Sequence, residues 1–474
     1  MKKLILQSTL VLALAILCSP IVSGEIKLPS IFGDNMVLQQ QTNVAIWGKA
    51  TPGANVTVKT SWNGSSVSSR AGADGAWKLK VATPVAGGPY TVSIGDGKTV
   101  TLKNVMIGEV WVCSGQSNME MPMKGYRNQP VTGANELIAL SSNNQIRLIT
   151  IPKKTSLTPV DNFEGNWKLC EPENVVEFSA TAYFFGLMLN KALKVPVGLI
   201  CTSWGGTRIE PWISEAGFSS FDWVKLPDKT QKQENLNQQT PTVLYNAMIN
   251  PILGYGIRGA IWYQGESNRN EAKQYEKLLP GLVSNWRSLW GIGEFPFYYV
   301  QIAPFDYGNT GLSSAFLREA QLKASTALPG MGMACVMETG EKDNIHPANK
   351  KAAGERLALQ ALVKTYGKKG IACEGPLLKE MKIEGNQVKL TFDNAPNGIM
   401  SLGKELYCFE VSGSNKRFYP AKAFVTNAGI TLVCPSVNEP VAVRYAFKDF
   451  IIGDLFNIEG IPASSFRTDD WDVQ

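Results

Sequence analysis

The hydrophobic rhythm of the chain changes twice. From 25 to 105, short runs alternate apolar and polar positions, as in Val56-Thr57-Val58-Lys59-Thr60 and Trp77-Lys78-Leu79-Lys80-Val81. Turn signals such as Pro52-Gly53, Asn63-Gly64 and Gly87-Gly88-Pro89 separate them. This period-two text predicts half-buried strands in a β-sandwich-like accessory domain. From 106 to 372, buried-looking strand candidates (109–113, 146–150, 197–203, 259–263, 297–302 and 333–337) alternate with helical text at 180–193, 271–289, 316–328 and 348–366. In the last of these, Ala352, Leu359, Leu362, Val363 and Tyr366 recur at helical spacing. Strand–helix alternation predicts a parallel sheet covered on both faces, with reactive loops at the carboxyl ends of its strands. The polar, glutamine-rich stretch 225–242 reads as an inserted surface loop, and 373–474 returns to β-rich text as a third domain.

The first 24 residues belong to none of these parts. Lys2 and Lys3 precede the apolar run 10–17, and Val22-Ser23-Gly24 supplies small residues before Glu25. That pattern predicts a cleaved signal peptide, and hence a periplasmic or extracellular protein. The run is too short for stable membrane insertion. Lipoprotein anchoring at Cys18 is the alternative, opposed by the bulk of Leu17.

Composition narrows the function. The net charge of +6 falls by two once the leader lysines are set aside, and no basic run occurs, so no nucleic acid partner is expected. The eight cysteines are scattered without a CxxC and the chain holds one histidine, so no metal site is expected. An exported protein leaves room for one or two disulfides.

Four candidate loops follow strand candidates. Ser117 in "CSGQSN" can project from a sheet edge beside backbone N–H groups suited to an oxyanion, or it can be a plain turn serine. In "DNIHP", Asp343 can fold back on one ring nitrogen of His346 and leave the other for a serine; the bland reading is an ordinary loop. If the chemistry needs an imidazole base, His346 is the only one in the sequence. In "SWGGTRIEPW", Gly205 and Gly206 permit close backbone approach, while Arg208 either binds a substrate anion or pairs with an acid such as Glu210. In "WYQGESN", Gln264 can donate an amide hydrogen, and Glu266 serves as loop orienter in preference to general base.

The ordered set GQSNMEMP (115–122), WGGTRIEPW (204–212), WYQGESN (262–268) and DNIHP (343–347) resembles the SGNH-hydrolase superfamily. Within it, the likeness is to the sialate O-acetylesterase-like carbohydrate esterases, and IFGDNMVLQQ (31–40) and GIPASSFRTD (460–469) extend it along the mature chain. The resemblance implies an SGNH-type, flavodoxin-like three-layer α/β/α parallel sheet flanked by β-rich accessory domains. It implies Ser117 as nucleophile, His346 as base and Asp343 as its orienter, with an oxyanion hole from the Ser117 backbone, Gly205 or Gly206, and Gln264. The sequence departs from the usual GDSL text, and Gln264 stands where the superfamily has asparagine. No cofactor is implied. The implied activity is a serine esterase acting on an O-acetylated sugar or glycan, first as a sialate O-acetylesterase and alternatively on acetylated xylan or another plant polysaccharide. Trp204 or Trp212 would stack on the sugar unless buried. From a different class, a non-catalytic carbohydrate-binding protein would have no use for the Ser–His–Asp set.

Overall fold

Successive residues of the central strands fall into two separate cores, which fixes the layering. Val110, Val112, Ile200 and Trp262 join one apolar cluster, while Trp111, Cys113, Cys201 and Ile261 join another. Such alternation of fully buried side chains arises only when both faces of a sheet are covered. The computed structural model describes residues 26–308 and 311–471; the leader assigned to 1–24 lies outside them.

In chain order the central strands are β1 (Thr99–Gly115), β2 (Asn143–Thr150), β3 (Lys168–Cys170), β4 (Val197–Ser203), β5 (Gly259–Tyr263), β6 (Phe297–Val300) and β7 (Met331–Ala334). Across the sheet their order is β7-β6-β5-β1-β4-β2-β3, parallel throughout except for the β2–β3 edge. Helices α1 (Ala180–Leu193) and α4 (Lys350–Gln360) cover one face; α2 (Ala272–Trp290) and α3 (Ser313–Ala324) cover the other. Helix α1 begins where the Ser179 hydroxyl accepts from the Ala182 N–H, and it ends at Lys194 in a left-handed conformation. Chain order reverses on either side of β1, which makes the ends of β1, β4 and β5 a topological switch point.

Two sequence expectations are corrected. The boundary placed between 105 and 106 falls inside β1, whose first half pairs with the strand Gly87–Gly95 and whose second half centres the parallel sheet. The helix expected over 348–366 buries Ala353, Gly354, Leu357, Ala358, Ala361 and Leu362; of the predicted stripe, Leu362 is buried and Tyr366 packs on the same core, while Ala352, Leu359 and Val363 are half-buried. Its last turn, Ala361–Thr365, is a π-helix. Close packing on α1 sets the buried face: a Cβ at Gly354 would lie 2.5 Å from that of Phe184, so small residues form it. All seven described cysteines are free and buried, so no disulfide forms among the described residues.

The flanking β-structure docks through polar seams. Strand Val37–Gln39 runs parallel to β1; the Gln39 side chain accepts from the Val110 N–H, and Gln40 donates to Glu109. The C-terminal strands share a core that includes Cys335 and Met337 from beyond β7. There, buried Arg318 of α3 donates to the Ser465 hydroxyl and the Lys448 carbonyl, and Gln301 donates to Ser464. Burial lowers the Arg318 pKa to about 10. Arg318→Leu strips a buried cation from partners that stay behind, so chemical denaturation should register a loss of about 3 kcal/mol.

Candidate active site

Three parallel strands end level with one another. In the register, Gly115 of β1 lies opposite Ser203 of β4 on one side and Tyr263 of β5 on the other. Gly115 has φ of 141°, and a Cβ there would stand 2.2 Å from the Tyr263 carbonyl oxygen, so the strand can turn here only with glycine. The turn lifts Ser117 to the start of a four-residue helix, Ser117–Glu120. No described group accepts from the Ser117 backbone N–H.

Ser117 and His346 line one open cavity of about 460 Å³, together with Gln116, Glu120, Tyr126 and Trp204. The Tyr126 ring meets the His346 ring edge-on at 5.3 Å between centroids. His346 Nδ1 lies 2.7 Å from Gln129 Oε1. With a carbonyl oxygen as its partner, Nδ1 carries the ring proton, and Nε2 keeps the lone pair needed to draw a proton from a hydroxyl. Burial, and secondarily the nearby Lys350 cation, lower the His346 pKa to about 4.

The region 107–363 matches the family described as carbohydrate esterase, sialic acid-specific acetylesterase. The chain belongs to that family. It is similar to sialate O-acetylesterases of Homo sapiens (29% identical, covering 89% of this chain and 87% of that one) and Rattus norvegicus (27%, 89% of each). Among solved structures, a carbohydrate acetylesterase from Xanthomonas citri superposes with a TM-score of 0.86 at 33% identity, over 94% of this chain and 100% of that one. The protein is therefore a carboxylic ester hydrolase.

Several residues expected in this esterase site stand elsewhere. Asp343 is exposed and makes no hydrogen bond to His346; Gln129 occupies the place expected of it. Gln264 is fully buried, and its amide nitrogen is taken by the Thr207 carbonyl and Asn268, which removes it as an oxyanion donor. Arg208 is held by Glu210 and Glu271, and it does not line the cavity. Trp212 is buried and donates to the Thr207 hydroxyl, whereas Trp204 is half-buried at the cavity wall.

The two glycines differ as well. The Gly205 N–H donates to the Glu120 carboxylate, which Lys153 also pairs with at 2.5 Å. Gly206 is exposed, with φ of 72°. Glu266 lines the cavity but is 3% exposed: its Oε1 accepts from Asn118 at 2.7 Å, and its Oε2 has no partner among the described residues. Burial raises its pKa.

Sequence reasoning missed Gln129, Glu120, Lys153 and Gln116. The last had a local signal, because it precedes the serine; its side-chain amide oxygen accepts from the N–H groups of Gly265 and Ser267, and the residue lines the cavity. Gln129 and Lys153 lie in loops whose text carries no motif.

An imidazole acting as base must be neutral, and a lowered pKa keeps it so in acid. The pH profile of kcat/KM should therefore hold down to an acid limb near 4, below the ordinary histidine range. Gln129→Leu removes the acceptor at Nδ1 and should lower kcat/KM roughly tenfold or more. Asp343→Asn should leave it within about twofold, as initial-rate measurements on an activated acetyl ester would register.

Proposed function

We propose that the protein removes acetyl groups from O-acetylated sugars by way of an acetyl-serine. The observation that carries this reading is the meeting of Ser117 and the chain's one histidine in a single cavity at the strand ends. Ser117 Oγ attacks the acetyl carbonyl while His346 Nε2 takes its proton. The sugar hydroxyl leaves with that proton; water, deprotonated by the same nitrogen, then attacks the acetyl-serine, acetate departs, and the proton returns to Ser117 Oγ. Gln129 in place of a carboxylate orients the ring without stabilising the imidazolium by charge. The oxyanion falls to the Ser117 N–H, the Gln116 amide and the glycine pair. A carboxylate oxygen on the Gly205 N–H marks that donor as suited to an anion, so the acyl oxygen displaces Glu120 during turnover.

The sheet order, with the nucleophile after the central strand, supports an SGNH-type assignment for the catalytic layer, and the β-rich flanks serve as accessory domains. Export by the leader belongs to the same proposal, and places the substrate outside the cytoplasm.

Sialate is the first substrate reading, supported by the names of the relatives. Its carboxylate would meet Arg269, which lines the cavity and stacks on Tyr307 with its guanidinium 4.1 Å from the ring centroid. A second reading, an acetylated neutral polysaccharide such as xylan, is favoured by the engagement of Arg208 in ion pairs. Acetate release from O-acetylated sialic acid and from acetylated xylan, measured side by side, separates the two. Ser117→Ala and His346→Ala should each reduce turnover by about 10³-fold or more while preserving the circular dichroism spectrum; near-wild-type turnover in either would overturn the mechanism.

A further inference from the structure

Behind the cavity lies a buried polar group that the acetyl-transfer scheme does not use. Lys350 is 1% exposed and is the first residue of α4. A cation is unfavourable there on three counts: it is desolvated, it sits at the positive end of a helix, and it lies close to the base. Burial lowers its pKa to about 7, against the opposing influence of Glu266 and Glu341. A residue so placed calls for a compensating role.

Its contacts supply one. Lys350 Nζ donates to Asn118 Oδ1 at 2.6 Å and to the Pro347 carbonyl at 2.8 Å. The Asn118 amide nitrogen donates in turn to Glu266 Oε1 at 2.7 Å and to the Ile345 carbonyl at 3.2 Å. Asn118 follows Ser117 directly, and its own carbonyl accepts from the Thr181 hydroxyl of α1. The two carbonyls gripped, those of Ile345 and Pro347, flank His346 on either side. Opposite charges at the two ends of the Asn118 carboxamide leave it a single orientation, because its oxygen faces the ammonium and its nitrogen the carboxylate.

We infer that Lys350, Asn118 and Glu266 form a positioning device that ties the His346 loop to the Ser117 turn and holds the imidazole in register with the nucleophile. None of the three needs to touch the reacting atoms. A shift of the base by about 1 Å costs on the order of a hundredfold in rate, whereas substrate binding is spared.

This inference rests on the Ser117–His346 reading, and the experiment keeps the two apart. Initial rates on an activated acetyl ester are compared for the wild type, Ser117→Ala, Lys350→Met and Asn118→Asp, each checked by circular dichroism and thermal melting. The reading itself fails if the wild type is inert or Ser117→Ala stays active. With the wild type active and Ser117→Ala dead, Lys350→Met should lower kcat about a hundredfold with KM within about twofold.

Asn118→Asp keeps the acceptor for Lys350 but loses the donor to both Ile345 and Glu266, so it should show the same split; it decides the matter if Lys350→Met does not fold. Lys350→Met should also move the acid limb of the pH profile upward, since a cation that lowers the His346 pKa is gone. Of the other ionisable groups around the cavity, Glu120, Tyr126, Lys153 and Arg269 keep their surroundings in that variant, whereas the carboxyls of Glu266 and Glu341 lose a nearby cation, and the Glu266 pKa moves up with the limb. A folded Lys350→Met or Asn118→Asp whose kcat stays within about twofold of wild type, with an unmoved acid limb in the lysine variant, would overturn the inference.

Discussion

The site depends on three parallel strands reaching the same height at Gly115, Ser203 and Tyr263. Hydrogen-bond register sets that level, and a slip of one strand by a single residue would send every side chain on it to the opposite face. Because Trp111 and Cys113 pack into one core while Val110 and Val112 pack into the other, such a slip would break two apolar layers at once. The loops that leave the strand ends inherit this precision. Gly115 adds the remaining constraint, since the neighbouring carbonyl of Tyr263 leaves no room for a side chain where the chain turns toward Ser117.

Electrostatics then shapes the chemistry that this geometry permits. His346 is oriented by a neutral amide and stands near a buried ammonium, an environment that favours its uncharged form. An imidazole with a low pKa is a weaker base at neutral pH, yet it stays available across a wide acidic range. A second cavity residue, the anionic Glu120, is balanced by Lys153 and held by the Gly205 N–H. Glu120 and Lys153 are therefore paired before any substrate arrives.

The flanking β-structure contributes through its seams. The stretches around Gln39 and Gln40 and around Ser464 and Ser465 supply buried hydrogen bonds to β1, to Gln301 and to α3. A polar seam between layers must pair each buried donor and acceptor, which narrows the residues allowed there.

Local text alone determined much of this protein. Apolar runs located six of the seven central strands, with β4 and β5 at their full extent and the short edge strand β3 missed, and the helical text at 180–193 coincides with α1. Glycine at 115 and the polar loops after each strand marked the end of the sheet where chemistry gathers, and a composition with one histidine left His346 as the one candidate imidazole. These features are legible because each follows from backbone sterics or from a short hydrophobic period. Tertiary structure decided which polar side chains meet. Asp343 was attractive by nearness in sequence, but its loop leaves it in solvent, while Gln129, from a distant loop, reaches the imidazole. Gln264 turns its amide nitrogen to Thr207 and Asn268, and Lys350 reads as an ordinary helix lysine until Asn118 and Pro347 are seen around it. Hydrogen bonds between distant loops carry no periodicity, so only the packed chain reveals them.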